Sequence, residues 1–100
     1  MTPRLFLRDE AQGDIEAAAQ WYEERRVGLG FEFTRVVRAA LAMIERDPMR
    51  FPSARAEVRR ALVRRFPYAM YFIVEASAIV VIACLHVRRD PTVWQSRAET

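Results

Sequence analysis

Apolar residues recur along this chain in two rhythms, and the change falls near its middle. Ala11, Ile15, Ala18 or Ala19, and Tyr22 repeat at helical spacing, with Asp14, Glu16, Glu23 and Glu24 mostly elsewhere on the wheel. Asp9 reads as the N-cap, with Gln12 completing a capping box, and Arg25 and Arg26 suit the negative end of the helix dipole. Gly28-Leu29-Gly30 breaks the chain. A second stripe then runs through Phe33, Val36, Val37, Ala40, Leu41 and Ile44, and Pro48 marks its end. Two helices with so short a link fold back as an antiparallel hairpin.

The second half reads as strands. Phe51-Pro52-Ser53 is expected as loop and Glu57 to Arg64 as a strand whose buried face the pattern leaves open. Tyr68 to Val74 is a firmer strand, Glu75-Ala76-Ser77 a turn, and Ala78 to His86 the next strand, an antiparallel neighbour. Asp90-Pro91 stops it, and Thr92 to Arg97 is expected as a single helical turn. Ahead of the helices, Arg4-Leu5-Phe6-Leu7 reads as a short first strand, with Pro3 tolerable only at its start.

Both alternating faces of the last two strands are apolar: Val80, Ile82 and Cys84 on one, Ile79, Val81, Ala83 and Leu85 on the other. A sheet with a solvated face alternates apolar with polar. The helical hairpin covers one side only. The other needs the segment around Trp94, strong curvature, or a second protein, and we expect a partner to cover part of it.

A chain of 100 residues is one domain, spanning 1–100. No stretch reaches the roughly 18 apolar residues of a membrane helix, and the N-terminus lacks a signal-peptide pattern, so a cytoplasmic protein without membrane partners is expected. The single cysteine, Cys84, sits in an apolar run and reads as a buried hydrophobe. No metal or cofactor is expected.

All 16 cations are arginine. Residues 1–49 carry seven Arg against nine acids, whereas residues 50–100 carry nine Arg against four acids. A basic half favours contact with phosphates or an acidic protein. The strand at 78–86 runs directly into His86, Arg88, Arg89 and Trp94, a natural place for a functional surface.

Trp21-Tyr22-Glu23-Glu24, Leu29-Gly30-Phe31-Glu32-Phe33, Pro48, Phe51-Pro52, Val58-Arg59-Arg60-Ala61-Leu62, Arg65-Phe66-Pro67-Tyr68 and His86 to Trp94 stand in an order and spacing that resembles the ParE side of the RelE/ParE toxin superfamily, the plasmid stabilisation proteins. The resemblance spans about residues 4–97. It implies an α+β fold, β-α-α-β-β-β, with a helical hairpin packed on a curved antiparallel sheet. It also implies a type II toxin with a cognate antitoxin lying along a groove, and contact with operator DNA only through the antitoxin complex.

The family offers two targets. ParE-like members resemble poisons that bind DNA gyrase, and RelE-like members resemble ribosome-dependent endoribonucleases that cut mRNA. Cleavage needs cations around the phosphate and groups that move protons. Here His86, Arg65, Arg88 and Arg89 are the candidates. The lysines common in RelE-like nucleases are absent, and their C-terminal Tyr corresponds to Trp94, whose indole donates but is no base. His86 also has a structural reading, fixing the next turn through a ring nitrogen.

The same residues read more easily as a binding surface. Arg88, Arg89 and Arg97 with Trp94 have the makeup of a target contact, although Trp94 reads more readily as a plug for the open sheet face. Trp21, Tyr22, Arg59, Arg60 and Arg64 are expected to meet the antitoxin, the arginines through its acidic segments. Gyrase inhibition by binding is the favoured reading, with mRNA cleavage on the ribosome and a non-toxic interaction module as alternatives.

Overall fold

The computed structural model describes residues 3–99. In chain order it contains β1 (Arg4–Leu7), α1 (Asp9–Arg25), α2 (Leu29–Arg46), a single 3-10 turn (Pro48–Arg50), β2 (Ser53–Arg55), β3 (Val58–Val63), β4 (Tyr68–Val74), β5 (Ala78–His86) and α3 (Thr92–Ala98). The strands form one sheet in the order β1-β5-β4-β3-β2. The hairpin and the antiparallel ribbon β3-β4-β5 stand as the sequence predicts, and α3 replaces the expected helical turn. The sheet is mixed rather than purely antiparallel, because β1 lies parallel to β5, Leu5 beside Ile79 and Leu7 beside Val81.

Three local expectations change. The N-cap of α1 is Arg8, not Asp9, and no capping box forms, since Gln12 instead donates to Glu16 one turn on at 3.0 Å. Asp9 and Glu10 still occupy the first turn, where the helix dipole favours negative charge. Ser53, expected in a loop, begins the short strand β2. The third change is the parity of β5. Tyr71 pairs with Ala83 but Phe72 with Val81, which leaves Ile82 as an extra, bulged residue. Ile82 and Ala83 therefore lie in the same apolar cluster, with Leu85, whereas Ile79, Val81 and Cys84 pack with the helices.

The helix side holds the larger core, where Ile15 and Ala18 of α1 and Phe33, Val37 and Ile44 of α2 meet Met70, Phe72 and Val81. On the opposite side Trp94 of α3 is buried and stacks on Tyr71 with ring centroids 4.8 Å apart and planes 13° from parallel. Val58, Ala69, Ile82, Ala83 and Leu85 complete that cluster. The chain's own tail covers the middle of this face.

The hairpin turn depends on two glycines. Gly28 has φ 91°, the left-handed region that favours glycine. The Glu23 carboxylate accepts from the N–H groups of Gly28 (2.8 Å) and Gly30 (2.9 Å), so an α1 side chain caps the start of α2. At Gly30 the helices come so close that an added Cβ would lie 2.4 Å from the Ala19 carbonyl oxygen. Backbone cannot yield as a flexible side chain does. Gly30→Ala is expected to lose about 1–3 kcal/mol by overpacking, read as a lower urea midpoint at unchanged slope; an unaffected midpoint would refute the close approach.

Candidate binding surfaces

A cleft of about 570 Å3 opens between α1 and the neighbouring ends of β4 and β5. Trp21, Tyr22, Tyr68, His86 and Arg89 line it, with Asp14 and Cys84 deeper in. The register explains the grouping: Tyr68 pairs directly with His86 across β4 and β5, and their rings lie 5.5 Å apart. Tyr22 reaches in from α1 and packs on Phe66 and Phe33 with centroids at 4.8 and 5.4 Å. Trp21 is 48% exposed, and the Arg25 guanidinium lies 3.9 Å from its ring centroid.

What the cleft offers chemically is mostly donors. Burial raises the pKa of both Tyr22 and Tyr68, so the phenols stay protonated near neutral pH and are not bases. The Nδ1 of His86 accepts the Arg88 backbone N–H at 3.0 Å. That bond leaves Nε2 as the protonated nitrogen of the neutral ring, and it is the turn-fixing role that its place at the strand end suggested. Arg89 lines the cleft and, among the described residues, forms no ion pair. Burial, with Asp14 nearby, pushes the Cys84 thiol up to about 12, so it packs as a neutral hydrophobe.

The cleavage candidates are not brought together. Arg65 leaves the β3–β4 turn with φ 75° and pairs with Glu32 of α2, which also holds Arg35. It does not line the cleft that holds His86 and Arg89, and Arg88 is exposed in the turn after β5.

The expected target surface divides too. Arg88 and Arg89 are exposed, but the Trp94 indole is buried and stacked against Tyr71. Arg97 turns inward. Its Nη1 donates to Asp14 Oδ2 at 2.6 Å and to the Ile82 carbonyl at 3.0 Å, and its Nη2 donates to Asp14 Oδ1 at 3.2 Å. Asp14 Oδ2 also accepts the Cys84 N–H at 3.0 Å. β1 ends at Leu7 beside Val81, so the ion pair serves the edge of β5 where strand pairing has stopped. Residues so far apart in the chain gave no local signal of this contact.

The proposed antitoxin contacts fall in two places. Trp21 and Tyr22 line the α1 cleft. Arg59 donates to the Phe51 carbonyl at 2.6 Å and braces the loop before β2, while Arg60 on β3 and Arg64 in the turn just after it are exposed. Arg64 lines a second cleft of about 330 Å3 between α2 and β3, with Ala40, Met43, Arg50, Phe51 and Leu62.

No protein-family model matches the chain, and no curated protein matches it. Solved structures do. One described as "Chromosomal ParDE TA system from P. aeruginosa" superposes with a TM-score of 0.77 at 16% sequence identity, covering 85% of this chain and 96% of that one. The chain has a ParE-like toxin fold. Within that ParE-like frame, the hairpin, the mixed sheet and the C-terminal helix place the arginines of β3 and the turn after β5 at the surface. Among the described residues no helix is long and apolar enough to cross a membrane, and no cluster of His, Cys, Asp or Glu could hold a metal ion.

Proposed function

We propose that this protein is the toxin of a type II toxin–antitoxin pair, inhibiting DNA gyrase by binding and held in check by a cognate antitoxin in the cytoplasm. The carrying observation is the ParE-like fold, matched over nearly the full length of a chain from a ParDE system. The arginine-rich surface of β3 and the exposed Arg88 and Arg89 support contact with acidic partners. Target contact falls to Arg88 and Arg89, whereas Trp94 and Arg97 serve by holding α3 in place.

The ribosome-dependent RNase reading draws on His86 and Arg89 sharing one cleft. Binding is favoured over it because Arg65 is engaged elsewhere and both cleft phenols are protonated. Controlled expression separates the readings: DNA breaks with a damage response point to gyrase, mapped cuts in translated messages to the RNase, and unchanged growth to a non-toxic module. His86→Ala loses one turn-fixing hydrogen bond, worth about 1 kcal/mol. It is expected to leave growth arrest nearly intact. A proton-transfer role would instead reduce activity about 100-fold or more, and that result would remove the gyrase reading.

A further inference from the structure

The α1 cleft holds more hydrogen-bond donors than the fold uses. Among the described residues its one acid is Asp14, and both oxygens are engaged: Oδ1 accepts from Arg97, and Oδ2 from Arg97 and from the Cys84 N–H. Four donors remain. The His86 ring is fixed through Nδ1, which leaves Nε2–H as its remaining donor. The turn after it is closed by the Arg89 N–H, which donates to the His86 carbonyl at 2.9 Å and so brings Arg89 to the same cleft. Among the described residues the Arg89 guanidinium and the Tyr22 and Tyr68 hydroxyls hydrogen-bond to no other group. Burial is the main cause of the raised Tyr68 pKa, but Tyr22 raises it further and Arg89 draws it back, so these three polar ends are near neighbours.

Donors without a spare acceptor fit an anion. A phosphate, with three terminal oxygens, takes such a fan of donors better than a planar carboxylate does. Trp21 lines the same cleft with its indole half exposed, and the Arg25 guanidinium on that ring adds a further cation. An exposed aromatic ring is a stacking platform for a nucleobase. The volume of about 570 Å3 lies inside the roughly 300–1,000 Å3 of small-molecule sites. We propose that the α1 cleft is a binding site for a free nucleotide, with the phosphates on Arg89, His86, Tyr22 and Tyr68 and the base against Trp21. The nucleotide is held, not cut. Both phenols stay protonated and His86 Nδ1 is already engaged, so no group in the cleft stands ready to take a proton. The site stands whether or not the chain is a toxin.

Calorimetric titration of the full-length chain with ADP, adenosine and pyrophosphate tests both halves of the site. ADP should bind about tenfold or more tightly than either fragment, because it alone engages the donors and the indole together. Arg89→Ala should weaken ADP about tenfold or more and leave adenosine unchanged. Trp21→Ala should weaken ADP and adenosine and leave pyrophosphate unchanged. Both side chains are exposed, so neither change opens the core. In NMR spectra the Trp21 indole N–H signal should move as ADP is added, while that of buried Trp94 stays in place. No ADP binding at millimolar concentration overturns the site. So does pyrophosphate that binds as tightly as ADP, the mark of a merely basic surface. ADP binding that survives either substitution unchanged lies elsewhere on the molecule and overturns it too. Growth assays report separately on the toxin reading: a harmless chain that binds ADP would lose only the toxin assignment. A toxic chain that ignores ADP would lose only the nucleotide site.

Discussion

Asp14→Ala is expected to destabilise the protein by about 3–5 kcal/mol, as removal of one member of a buried ion pair does. Both side chains are largely buried, Arg97 at 20% and Asp14 at 13% exposure. The substitution takes the carboxylate away from the Arg97 guanidinium and leaves the Cys84 N–H without its acceptor. At about 4–8 °C per kcal/mol for a domain of this size, Tm should fall by well over about 10 °C. Arg97→Ala should also be costly, because the Ile82 carbonyl loses its donor. The double variant should lose clearly less than the sum of the two, since removing both charges leaves neither one buried alone. Additive losses, or a single loss under about 1 kcal/mol, would show that the pair does not tie α1 and α3 to β5.

The second large effect lies on the other face. Trp94→Ala is expected to lose about 3–5 kcal/mol, the range for emptying a buried aromatic site. It removes the ring stacked on Tyr71 and opens the cluster of Val58, Ala69, Ile82, Ala83 and Leu85 to water. Urea unfolding should show a much lower midpoint, and a dye for exposed apolar surface should bind the folded variant. Trp94→Phe, which keeps a ring over Tyr71, should lose much less. If Trp94→Ala unfolds like the parent, the tail does not seal this face, and a covering partner becomes necessary again.

Much of this architecture was legible because the evidence for it is local. The stripe from Phe33 to Ile44 and the breaks at Gly28, Pro48 and Asp90-Pro91 place the helices and bound the last strand. What local pattern cannot reach is pairing between distant segments. Nothing near residues 4–7 announces a parallel partner at 78–81, and nothing near Asp14 announces Arg97. The two-faced apolar ribbon was read correctly as needing cover on both sides, but its parity was not, because one bulged residue at Ile82 reverses the alternation. Of the candidate site, His86, Arg89, Trp21 and Tyr22 do meet in one cleft. Arg65, Trp94 and Arg97 do not, since each found a partner inside the fold.

The tie between Asp14 and Arg97 joins residues 83 apart in sequence. At roughly 5–20 residues per second of synthesis, the first helix waits about 4–17 seconds for its counter-charge to be made. In the last part of that wait, once β4 and β5 have been made, the β5 edge is uncovered and Tyr71 lacks its seal. Whatever the finished molecule does, α3 cannot be tied to α1 until Arg97 has been made. That interval is set by the chain's topology rather than by any regulator.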